Sequence, residues 1–112
     1  MNANDLMQVY YLDKEIQSWK SDENIKEPLL RDKVSEKIAE LENKKAEILD
    51  FIFNIDDSQT RLIFKLRCLD LLSWNKVADV IGGMNSEYTV KKRFYRYLQK
   101  NMSHMSRQSM VI

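Results

Sequence analysis

Apolar residues recur along the first half of the chain at alternating steps of three and four. Val9, Leu12, Ile16 and Trp19 keep that spacing, and Leu6 and Tyr10 widen the stripe, so the pattern predicts a helix over 5–20. The Asn4-Asp5 pair supplies its cap. The polar stretch from Ser21 to Pro28 breaks the period; Pro28 disfavours helix at Glu27 and suits a helix start. A second, longer helix is expected over 28–55, because Val34, Ile38, Leu41, Lys45, Ile48, Ile52 and Ile55 continue the alternation. Lys45 interrupts the apolar seam once, and a polar residue at such a place commonly sets register or oligomer state. The two seams fit either an αα-hairpin or one limb of an intermolecular coiled coil. Val9, Leu12, Ile16, Trp19, Val34, Ile38, Leu41, Lys45 and Ile48 are therefore the candidate partner or dimer interface.

The second half changes rhythm. Asp56, Asp57 and Ser58 cluster as caps ahead of an expected helix over 59–71, with Leu62, Ile63, Leu66 and Leu69 facing inward. Ser73 then caps a short helix over 74–81, where Trp74, Val77, Ala78 and Ile81 share one face. Gly82-Gly83 ends it, since glycine tolerates the left-handed conformation a helix exit needs. Asn85 or Ser86 caps a third helix, over 87–100, with Val90, Phe94, Tyr97 and Leu98 on its apolar side. A short capped helix, a glycine turn and a basic amphipathic helix follow in helix-turn-helix order. The small Ala78 suits a close helix crossing, and Val90 is the third helix's anchor.

A wheel at about 100° per residue places Tyr88, Lys92, Tyr95, Arg96 and Gln99 opposite Val90, with Lys91 and Arg93 flanking the apolar stripe. That face mixes basic, aromatic and amide groups, which suits a major groove: Lys and Arg neutralise phosphates, while Arg, Lys and Gln read base edges. The same face also fits a solvated surface, an anionic membrane or a docking helix.

Charge sharpens the division. Residues 1–57 carry a net −6 and residues 58–112 a net +7, within a chain of net +1. The 112 residues include two Gly and one Pro, too few turn formers for an all-β fold. No apolar run reaches membrane-span length and no secretory signal is visible, so a cytoplasmic location is expected. The single Cys68 lies in an apolar run and reads as a buried structural thiol.

Catalysis finds little support. His104 is the only histidine and stands in a Ser/Met/Gln-rich tail. There is no Cys/His spacing for zinc and no glycine-rich phosphate loop, so no enzyme, metal or cofactor is expected. Asp56-Asp57 reads as helix capping rather than a metal pair.

Arg61-Leu62-Ile63, Leu66-Arg67, Ser73-Trp74-Asn75-Lys76-Val77-Ala78, Ile81-Gly82-Gly83, Val90-Lys91-Lys92-Arg93 and Tyr97-Leu98 together carry a resemblance. Residues 55–98 resemble region 4 of bacterial sigma-70 factors, and more closely the small sigma-region-4-like regulators of phages and prophages of Gram-positive hosts. In that family the Trp-x-x-Val/Ile-Ala segment is the motif's first helix, and the Val-Lys/Arg segment opens the reading face of the second. The family's turn Gly and recognition-helix Val stand six apart, whereas Gly82 and Val90 stand eight apart. The resemblance implies transcription control in late-gene or lysogeny programmes; some related small phage proteins serve in DNA packaging.

The expected protein is all-α: a two-helix, coiled-coil-like arm over 1–55, a sigma-region-4-like helix-turn-helix over 56–101 and a flexible tail over 102–112. The expected function is sequence-specific, double-stranded DNA binding for transcription regulation in a bacterial host's cytoplasm. Tyr88, Thr89, Lys92 and Arg96 face bases or groove edges, Lys76, Lys91, Arg93 and Lys100 hold phosphates, and Tyr95 belongs to the same face. The arm serves a homodimer, host RNA polymerase or another host protein, and no membrane is expected as a partner. Two alternatives stand beside this: a small phage protein that inhibits or redirects a host protein, and a DNA-packaging recognition subunit.

Overall fold

The computed structural model describes residues 1–22 and 26–110, and for 102–110 the backbone alone. Among the described residues the chain is all-helical, with no strand. Helix α1, Ala3–Leu6, is a single turn closed by a reciprocal cap: the Asn2 side chain accepts from the Asp5 N–H at 2.9 Å, and the Asp5 carboxylate accepts from the Asn2 N–H at 2.8 Å. The chain breaks at Met7-Gln8 before α2, Val9–Lys20. The single helix expected over 5–20 is thus two, and its cap is Asn2 rather than Asn4-Asp5. The break turns Leu6, fully buried, into the main core.

Helix α3, Pro28–Phe53, starts where Pro28 and a carboxylate can both act. The Glu27 side chain accepts from the N–H groups of Leu29 (3.1 Å) and Leu30 (2.6 Å), two donors a helix start leaves unpaired. Helices α2 and α3 pair as an antiparallel hairpin within the chain. Ile16 and Leu41 are buried between them, and the Lys45 ammonium meets the Asp13 carboxylate at 2.8 Å. The one polar position of the seam therefore has a partner on the neighbouring helix of the same chain. Lys20 and Glu42 make a second bridge at 3.0 Å.

Helix α4, Ser58–Phe64, is capped by Asp57, whose carboxylate takes both the Thr60 N–H (2.8 Å) and the Thr60 hydroxyl (2.7 Å). It continues as a π-helical turn, Lys65–Leu69. Ile63 and Leu66 are buried as expected, with Phe64 and Cys68 beside them, while Leu62, expected inward, is 40% exposed. Leu71 follows with φ +55°, and its neighbour's N–H, from Leu72, reaches the Leu66 carbonyl at 3.0 Å.

Helix α5, Trp74–Ile81, is capped by the Ser73 hydroxyl, as its sequence position suggests. Gly82 (φ +71°) and Gly83 (φ +65°) make the turn, a conformation that costs a side chain but not glycine. Asn85 braces that turn by donating to the Gly82 carbonyl at 3.1 Å, while the Ser86 hydroxyl accepts from the Thr89 N–H at 3.2 Å. Helix α6, Glu87–Met110, runs beyond the expected end at Lys100. The segment expected as a flexible tail thus supplies helical backbone through Met110; its side chains at 102–110, His104 among them, and residues 111–112 lie outside the described residues.

One core joins the halves. Leu6, Ile48, Ile52 and Ile55 from the front pack with Ile63, Phe64, Val77, Val90 and Phe94 from the back, so the core spans the 55/56 position. Aromatic rings fill its centre: Phe64 and Phe94 stack at 4.4 Å, with Trp74 edge-on to Phe94 at 5.0 Å and Tyr97 edge-on to Phe64 at 5.3 Å. The molecule measures 57 × 39 × 18 Å, and its 17.5 Å radius of gyration exceeds the roughly 13 Å of a compact chain this long. The excess comes from the hairpin and α6, which extend past the core.

Candidate nucleic-acid interface

The core residues of α6 determine which of its side chains face outward. Val90, Phe94 and Leu98 are 1%, 1% and 5% exposed, and their spacing fixes one side of the helix against α4 and α5. The opposite side is bare. Tyr88 is 70% exposed and Tyr95 46%, while Lys91, Lys92, Arg96, Gln99 and Lys100 are all exposed. Thr89 is exposed too, but its hydroxyl is shared with that of Ser86 at 2.9 Å. Lys92 Nζ lies over the Tyr88 ring, 5.6 Å from its centroid, so a cation and an aromatic face stand together near the start of α6. Tyr95 leans on Trp74 (6.2 Å) and Phe94 (5.1 Å). Lys76 is exposed in the first turn of α5.

Arg93, expected among the phosphate-holding residues, also has a partner inside the chain. It is half-buried, and its Nη1 donates to the Gln59 side-chain oxygen, tying α6 to α4. Its charge also reaches Asp57. The Thr60 hydroxyl and N–H bonds hold the Asp57 carboxyl below its usual range, and the positive fields of Arg93 and Arg61 add to that. The wheel placed Arg93 beside the apolar stripe, but nothing local announced Gln59 as its partner, 34 residues away.

The candidate arm residues divide by burial. Ile16, Leu41 and Ile48 are buried inside the chain; Val9, Leu12, Trp19, Val34, Ile38 and Lys45 are half-buried. Trp19 donates its indole N–H to the Glu15 carboxylate at 2.9 Å, within α2. At the far end of the hairpin Leu29 and Leu30 are 62% and 49% exposed.

An open depression of about 620 Å³ lies between the N-terminal turn and α6, lined by Asn2, Ala3, Asn4, Tyr95, Leu98 and Gln99. The amide-bearing N-terminal residues thus stand beside the exposed face of α6. Cys68, by contrast, is wholly enclosed, and burial pushes its thiol up to about 12. Among the described residues no group of three or more His, Cys, Asp or Glu side chains is placed to hold a metal ion, and no helix is long and apolar enough to cross a membrane. No protein-family model matches the chain, and no curated protein or solved structure matches it either.

Proposed function

We propose that this chain is a sequence-specific, double-stranded DNA-binding transcription regulator of phage or prophage origin, working in the cytoplasm of its bacterial host. In this reading α5, the Gly82-Gly83 turn and α6 form a helix-turn-helix of the sigma region 4 kind, and α6 enters the major groove. The observation that carries it is the division of α6: one face is anchored by Val90, Phe94 and Leu98, and the other leaves Tyr88, Lys92, Arg96 and Gln99 free. A buried anchor matters because base reading needs a side chain delivered at a fixed depth and angle. Tyr88, Thr89, Lys92 and Arg96 meet base or groove edges, Tyr95 borders them, and Lys76, Lys91 and Lys100 sit on phosphates. Arg93 keeps a share in the field of this surface, but its hydrogen bond to Gln59 gives it a structural task.

The test is selection of a duplex from a random library, followed by binding over a range of salt. Lys92→Ala with Arg96→Ala is expected to weaken the selected duplex by about 1–3 kcal/mol per lost base contact and relax its sequence preference. Lys100→Ala is expected to weaken all duplexes alike and flatten the salt dependence by about one unit. Unchanged binding in the Lys92/Arg96 double variant removes this reading face.

A second reading draws on the exposed Leu29 and Leu30 at the hairpin end. There the arm binds a protein, either a second copy, host RNA polymerase or another host protein. Substitutions on α6 and on the hairpin end then separate the two activities.

A further inference from the structure

The π-helical turn and the left-handed Leu71 have no part in the reading face, but the turn packs against α5, whose Trp74 touches α6. A residue other than glycine at φ +55° needs neighbours that hold it there. Leu72, the next residue, is gripped on both sides: its N–H donates to the Leu66 carbonyl at 3.0 Å, and its carbonyl accepts from Arg67 Nη1 at 2.9 Å. The same guanidinium lies 4.6 Å from the centroid of the Trp74 ring. Trp74 in turn packs on Phe94 and Tyr95. Arg67, Trp74 and Tyr95 thus form an unbroken line from the π-helical turn to the outer face of α6. Arg67 lies within the π-helical turn, on the side from which its guanidinium reaches both the Leu72 carbonyl and the Trp74 ring.

We propose that Arg67 is a positioning residue: it fixes Trp74, and through it the pose of Tyr95 and the exposed face of α6, without itself touching nucleic acid. This rests on the DNA-facing reading of α6. A planar guanidinium lies flat on an indole while its edge bonds a carbonyl; a lysine ammonium, a point charge, does not do both.

The experiment compares the full wild-type chain with Arg67→Lys and Arg67→Met. Its first arm measures affinity for the duplex selected by the wild type against a shuffled duplex of equal length, across salt. Its second uses residual dipolar couplings of the free proteins to measure the orientation of α6 relative to α4. Both variants are expected to keep their helical signal and to show a rotated α6. The ratio of selected to shuffled affinity is expected to fall roughly five- to tenfold, as for loss of a desolvated cation–π contact. The salt slope stays at its wild-type value, because no phosphate contact is lost. A slope lower by about one unit makes Arg67 a phosphate contact and overturns the proposal. An unchanged ratio or an unchanged α6 orientation overturns it as well. If the wild type selects no duplex, the DNA reading fails by itself and the orientation measurement still decides Arg67.

Discussion

Between α2 and α3, Ile16 and Leu41 are buried apart from the main core, and ion pairs from Asp13 to Lys45 and from Lys20 to Glu42 flank them. Around α4, α5 and α6 the packing is continuous and aromatic, with Trp74, Phe94, Phe64 and Tyr97 touching in that order as a chain of rings. A narrow aliphatic seam holds two helices side by side. Interlocked rings of fixed shape hold three elements at set angles. The two halves thus differ in how they are packed: ring against ring around α4, α5 and α6, aliphatic side chains and ion pairs between α2 and α3.

The largest expected effect tests the rigid half. Phe94→Ala removes the ring on which Phe64, Trp74 and Tyr95 all rest, and is expected to cost about 3–5 kcal/mol in denaturant unfolding. Ile16→Ala tests the hairpin, with a loss near the lower end of the aliphatic range, about 2 kcal/mol. Its amide exchange is expected to quicken in α2 and the outer part of α3 while α4–α6 stay protected. Uniform exchange throughout would erase the distinction between the halves.

The next effect is a pH dependence. Asp57 is held below its usual range chiefly by the Thr60 hydroxyl and N–H, so its stabilisation is complete above the unfolded-state value near 4. That stabilisation is lost as pH falls through the lower folded value. Asp57→Asn is expected to flatten the acid limb of a stability profile and to loosen the start of α4. The smallest effect belongs to the clasp between α2 and α3. Lys45→Met replaces a half-exposed ion pair with apolar contact, so the unfolding midpoint is expected to stay near the wild type. A large loss there would make the clasp, rather than the aliphatic seam, the hairpin's main support.

Local pattern carried much of this architecture. The three-and-four alternation located α3 and the residues it buries, because helical periodicity is a local property. Ser73 and Gly82 bounded α5 because caps and glycine exits act within one turn. With Val90 as anchor the helical wheel gives the outward set on α6, and Tyr88, Lys92, Tyr95, Arg96 and Gln99 are all exposed. What escaped depends on distant or non-α geometry. The break at Met7-Gln8 contains neither glycine nor proline, and it accompanies the burial of Leu6 in the core, a contact no local period encodes. Leu62 is exposed and Phe64 buried in a stretch whose spacing suits an ordinary helix, and a π-helical turn follows it unannounced. The partners of Lys45 and Arg93 lie 32 and 34 residues away, beyond the reach of any periodicity.

The placement of the two tryptophans gives each half its own optical reporter. Trp19 rides on α2 with its indole N–H on Glu15, whereas Trp74 is 8% exposed beneath the Arg67 guanidinium. Their emission spectra should differ accordingly, the sheltered indole to the blue. With Trp19→Phe the remaining fluorescence follows the body alone, and with Trp74→Phe it follows the arm. Two melting curves from these paired variants then show whether arm and body melt as one cooperative unit or as two, with no label attached.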